Sequence, residues 1–240
     1  MQRLALALGF LLMFTAPMLA QGMSIDFGDG TALSTRSVQL LVVMTVLSLV
    51  PGLAVMITCF PFIVTVLSIL RQAIGLQQSP PNMLIVSLAL FLTWFVMDPV
   101  FTEAWAKGVE PLNAGSIDLQ QAIPLILGPF RGFMAHRLDS DTFAALQNLR
   151  PNAAAVLPID APLSLLVPSF ILSEIQRAFE IGFLIFLPFL IIDLVVAAVL
   201  MSMGMMMVPP AVVSLPFKLA FFVVADGWSL VSGALVRSYF

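Results

Sequence analysis

Three charges sit in an otherwise apolar stretch at spacings a helix can use: Glu174, Arg177 and Glu180 in SEIQRAFEIG. Residues three apart share a helix ridge, so an alternating acid-base-acid row can form there. Its chemistry is either structural pairing among apolar neighbours or a relay for protons or a polar substrate. Asp193 is more isolated, held between PFLII and LVVAAVL with no cation nearby in sequence. Its partner has to come from tertiary or subunit contacts, or the group is uncharged. An intramembrane aspartyl protease needs a second, paired aspartate. Asp226 is available, but neither residue sits in a Gly-x-Gly-Asp-like setting, so no such enzyme is expected.

The other reactive side chains occur singly. Cys59 is the one cysteine and His136 the one histidine. A lone thiol excludes an intramolecular disulfide and any multi-cysteine metal site, and Cys59 in its apolar run reads as packing. A Ser-His-Asp triad would require His136, yet MAHRLDSD around it reads as a solvated helix-to-loop segment. No catalytic residue, metal site or cofactor is therefore expected.

A different kind of chemistry is offered by MSMGMMMVPP, where five methionines (Met201, Met203, Met205, Met206 and Met207) fall within seven residues before Pro209-Pro210. Thioether side chains are long, unbranched and polarizable, and they serve commonly as core filler. Beside Gly204 and two prolines, however, a helix must end and leave its side chains on a turn. Methionines on such a turn can pack against one another and reseal around a changing object, as a soft gasket.

The elements that carry these residues are apolar. Hydrophobic residues make up 60% of the chain and charged ones 10%, against roughly 25% charged in a soluble domain. The acidic balance of 13 acids to 10 bases argues against nucleic acid, which needs a basic face. Residues 1–22 read as a signal peptide, with Arg3 as the positive region, an apolar stretch over 4–14 and Ala20-Gln21-Gly22 as the cleavage pattern. The rest, 23–240, reads as one helical domain.

Four hydrophobic runs follow. Residues 38–70 exceed the ~20 needed to cross a bilayer, and Pro51-Gly52 and Pro61 interrupt them, which predicts a kinked or two-piece helix. Residues 71–82 form a connection, and 83–101 a second run ending near Asp98-Pro99. Residues 102–162 are more polar, with helical periodicity in ILGPFRGFMAHRL and TFAALQNL. A helix over 163–176, a third long run that Pro188 kinks, and a fourth run over 212–224 complete the chain, with Asp226-Gly227-Trp228 as an interfacial exit. The 71–82 turn carries Arg71 and no acid, which assigns it weakly to the cytoplasm and the 102–162 segment to the outside.

The ordered motifs RQAIGLQQSPPN, LALFLTWFVMDPV, LSEIQRAFEIGFLIFLPFLIIDLVVAAVLMSMGMMMVPP and SLPFKLAFFVVADGW together resemble the FliP family of flagellar type III export proteins. The similarity covers the chain from about residue 38 onward, and the signal peptide favours the flagellar branch over its virulence-secretion homologues. The resemblance implies an all-α protein of kinked or broken hydrophobic hairpins that assembles in several copies, with the Q and R subunits, into a helical pore. It implies an export gate for unfolded flagellar proteins at the basal body in the bacterial inner membrane, with other export components supplying energy. It also implies that Met205, Met206 and Met207 form the constriction, while Glu174, Arg177, Glu180 and Asp193 are structural or assembly charges. The rival reading is a small-solute or ion transporter that uses those intramembrane charges. No visible 20-to-50-residue repeat supports an inverted-repeat transporter.

Overall fold

The computed structural model describes residues 33–76, 79–150, 156–205 and 207–240. Residues 1–22, read as a signal peptide, lie outside them. The described residues form helices and short connections, with no strand among them. The chain divides into two units, Met1–Ser48 and Leu49–Phe240.

Helix α1, Leu33–Met56, runs through Pro51 without ending. Its hydroxyls stay within the helix: Thr45 Oγ1 donates to the Leu41 carbonyl at 2.7 Å and Ser48 Oγ to that of Thr45 at 2.8 Å, which satisfies polar atoms in an apolar surrounding. The chain breaks over residues 57–59 and resumes as α2, Phe60–Ile74, with Pro61 in its first turn. The first hydrophobic run is thus two-piece, but its break comes before Pro61. A proline in the first turn lacks only a donor that would be unpaired anyway, so it starts a helix; Pro51 removes one bond from an interior that tolerates it. Thr58 fixes the break, its Oγ1 donating to Val55 O at 2.7 Å and accepting from Phe60 N at 3.3 Å.

The 15 residues of α2 span about 22 Å, too short to cross a bilayer alone. Instead α2 is the centre of the core. Phe62, Ile63, Val66, Leu67, Leu70, Ala73 and Ile74 are buried, and they pack chiefly on the long helix near the C-terminal half of the chain. There Gly182 allows the backbones to approach: a Cβ at that position would lie 2.4 Å from Ile69 Cδ1.

Helix α3, Asn82–Ala104, passes through Pro99 rather than ending there, and continues through a π-helical turn, Trp105–Val109, into α4, Glu110–Asn113. Gly108 in the π turn lets α5, Leu119–Arg137, lie against it, since a Cβ would sit 2.3 Å from Ile126 Cγ1. Helix α6, Ser140–Asn148, is capped by Asp139, whose Oδ1 accepts from Thr142 N and Oγ1, both at 2.8 Å. Those bonds hold the Asp139 carboxyl below its ordinary value. The 102–162 segment therefore contains the two helices its periodicity predicts.

Helix α7 covers Leu163–Ser202, 40 residues with Pro168 and Pro188 inside. The expected helix over 163–176 and the third run are one element. Met134, Phe143, Leu165, Leu166 and Phe170 make a second small core where α5 and α6 meet its start. Helix α8, Pro210–Val224, and α9, Gly227–Arg237, meet at 61°. Asp226 adopts φ 48° at the corner, and a side chain on Gly227 would strike the Phe222 ring at 2.1 Å. Asp226-Gly227-Trp228 is thus a corner between two helices. By length and composition, three helices (Val38–Met56, Asn82–Asn113 and Leu163–Ser202) can cross a membrane, or four counting the bent α8–α9 pair as one.

Candidate functional site: a methionine turn and two charge clusters

The methionine turn is built by a helix stop. After α7 ends at Ser202, Gly204 takes φ 73°, Gly204 N donates to Met201 O at 3.0 Å and Met205 N to Leu200 O at 3.0 Å. This paired pattern around a left-handed glycine satisfies the last carbonyls of the helix and turns the chain sharply. Pro209 and Pro210 then start α8, where a proline's missing donor is harmless. Among the described residues between the two stops, Met205 and Met207 are left outside the core. Met207 is 98% exposed and Met205 42%; Met201 and Met203 are exposed as well. Met206 lies outside the described residues.

Below this turn, Asp193 has found tertiary partners. Its Oδ2 accepts from Lys218 Nζ at 2.6 Å and its Oδ1 from Ser214 Oγ at 2.5 Å. Lys218 is buried, and its Nζ also donates to Ala73 O at 3.2 Å, in the last turn of α2. A cation at a helix C-terminus meets the negative end of the helix dipole and unpaired carbonyls. One ammonium therefore ties α2, α7 and α8 together.

The second cluster departs from the expected ridge. Glu174 is fully buried, and its Oε1 accepts from Arg137 Nε at 3.0 Å while its Oε2 accepts from the Tyr239 hydroxyl. Arg137 is buried too, with Nη1 donating to Ser238 O at 2.7 Å and its guanidinium 4.0 Å from the Tyr239 ring centre, a cation–π contact. Arg177 reaches Glu174 only at 4.0 Å, beyond a hydrogen bond, and its side chain is 35% exposed. Glu180 is exposed and accepts from Gln176 Nε2 at 3.1 Å. Of the alternating row only the Arg177–Glu174 pair forms, at 4.0 Å, with no Arg177–Glu180 pair among the described residues, because Glu174 faces the core while Arg177 and Glu180 turn outward. His136 is exposed, as its setting predicts, but its neighbour Arg137 is not. Burial, then the Glu174 carboxylate, pushes the Tyr239 hydroxyl well above its ordinary value, so it remains a hydrogen-bond donor. Burial likewise raises the Cys59 thiol to about 12, which keeps it protonated and unreactive.

Sequence reasoning missed Arg137, Tyr239, Ser214 and Lys218. A signal existed for one of them: Lys218 is the sole cation between Arg177 and Arg237, the same apolar stretch that contains Asp193. Two opposite charges in such a stretch are expected to meet. Arg137 carried no comparable signal, since it is 37 residues from Glu174 in a segment of mixed charge.

Comparison with known proteins adds the remaining observation. The FliP family model matches residues 43–235. The chain is 50% identical to a flagellar biosynthetic protein of Caulobacter vibrioides over 97% of this chain and 88% of that one. It is 50% identical to its counterpart in Agrobacterium fabrum, over 82% of this chain and 81% of the other. With that of Bacillus subtilis it shares 44% identity over 85% of this chain and 93% of the relative. The family match spans the paired charges and the methionine turn together with the helices that place them, and the chain belongs to the FliP family of flagellar biosynthetic proteins.

Proposed function

We propose that this chain is a subunit of the flagellar type III protein export gate, assembling in several copies with Q and R subunits into the channel through which unfolded flagellar proteins leave the cell. The observation that carries the reading is the methionine turn: flexible thioethers, held outside the core between two helix stops, with Met207 almost wholly exposed. A seal for polypeptides of many sequences has to deform without selecting, and thioethers do so. In this reading the helices insert at the inner membrane, residues 102–162 face the periplasm, Met205, Met206 and Met207 close the channel, and the energy comes from other export components. Glu174, Arg177, Glu180 and Asp193 then serve folding and assembly, and the protein itself performs no catalysis. Asp193 and Glu174 support this over a solute transporter, because both already have partners within the chain, whereas a transport site presents fixed polar groups to its substrate.

Replacing Met205, Met206 and Met207 together by Ala tests the gate. Alanine shortens the side chains and removes their deformable packing, whereas Leu keeps volume and adds stiffness. The Ala variant is expected to leak small solutes while still secreting hook protein, and the Leu variant to stay tight but export more slowly. An assembled Ala variant no leakier than the parent would remove these residues from the gate.

A further inference from the structure

Two cavities lie along α7, one beside α9 and the other beside the residues that follow α9. The first, about 440 Å³, is polar and lined by His136, Arg137, Arg177, Ser238, Tyr239 and Phe240. The second, about 330 Å³, is almost wholly apolar, and its walls include Ile181, Leu184 and Pro188 of α7 with Leu230 and Val231 of α9. Arg177 to Pro188 covers about 16 Å of helix, and Val231 to Ser238 about 10 Å in the opposite sense. The two helices therefore lead from the polar cavity into the apolar one.

The polar cavity is walled by two guanidiniums with unspent donors, that of Arg137 beneath the surface and that of Arg177 partly exposed. Arg137 uses Nε on Glu174 and Nη1 on Ser238, but its buried Nη2 has no hydrogen-bond partner. Arg177 makes no hydrogen bond among the described residues, and Glu174 is the only acid within 4.0 Å of either guanidinium there. Within 4.0 Å the two positive charges thus meet one carboxylate, whose oxygens are already engaged, with Asp139 farther from Arg177. Guanidinium groups in this state match the oxygens of a phosphate. We infer that the α7–α9 groove binds an anionic phospholipid, with its phosphate at Arg137 and Arg177 and an acyl chain along Ile181, Leu184 and Leu230. This site does not involve the methionine turn.

The test uses the full chain in uncharged detergent, with lipid retention read by native mass spectrometry. Phosphatidylglycerol is expected to bind at least about tenfold tighter than phosphatidylcholine of the same chain length. Arg177→Gln, at a partly exposed position, should erase that preference while leaving the thermal midpoint unchanged. Leu230→Trp, which fills the apolar cavity from an exposed position, should weaken both lipids. Water-soluble glycerol phosphate should bind at least about tenfold more weakly than phosphatidylglycerol; equal binding would make this a free-phosphate site and overturn the lipid. Undiminished preference in Arg177→Gln would overturn it too.

Discussion

Arg137→Ala is expected to destabilise the protein by about 3–5 kcal/mol, measured as detergent-solubilised unfolding, because it strands the fully buried Glu174 carboxylate without its cation. Tyr239 would remain as a donor, but a neutral hydroxyl does not offset a buried charge. Arg177→Ala, three residues from Glu174, should cost less than about 1 kcal/mol, since its side chain is partly exposed at 4.0 Å. The contrast matters because helix spacing alone points to Arg177 as the partner. Equal losses for the two variants would restore the ridge. Arg137→Ala combined with Glu174→Gln should recover part of the loss, as removing both charges does in buried pairs.

The second large effect falls on Lys218. Lys218→Met keeps the apolar stem but removes the ammonium from Asp193 and from Ala73 O. The expected loss is about 3 kcal/mol, at the low end for a broken ion pair because the Asp193 side chain is 33% exposed. Since the contact joins α2, α7 and α8, the variant should show reduced amounts of folded protein on native gels before any change in conduction. Adding Asp193→Asn should restore much of the stability. Wild-type stability with blocked export would assign the pair a direct role in transport instead.

The contrast between these residues and the rest marks what the sequence could show. The all-α class and the hydrophobic runs follow from composition and period, and they hold. Proline misled at Pro99, where the second run was expected to end but the helix continues, and Pro51, Pro168 and Pro188 also lie inside helices. A long apolar helix survives one missing donor when its neighbours or side chains re-satisfy the freed carbonyl. Pro61 and Pro210 behave as expected because they stand in first turns. The methionine turn was legible because its signals are local: Gly204 and two prolines end and restart helices whatever the tertiary context. The partners of Glu174 and Asp193 were not, being 37 and 25 residues away in sequence. Spacing rules describe a helix alone, and here the packing of α5 and α8 on α7 offers closer partners.

If the methionine turn surrounds the exported chain, a photo-crosslinking side chain there must touch it. The most direct measurement places such a residue at Met207, 98% exposed on the turn, and separately at Val224, 88% exposed at the far end of α8, in cells whose export is stalled by a substrate fused to a tightly folded domain. Crosslinks to the stalled substrate from Met207 and not from Val224 are the predicted result. Crosslinks from Val224 with none from Met207, in assembled complexes, would contradict the gate.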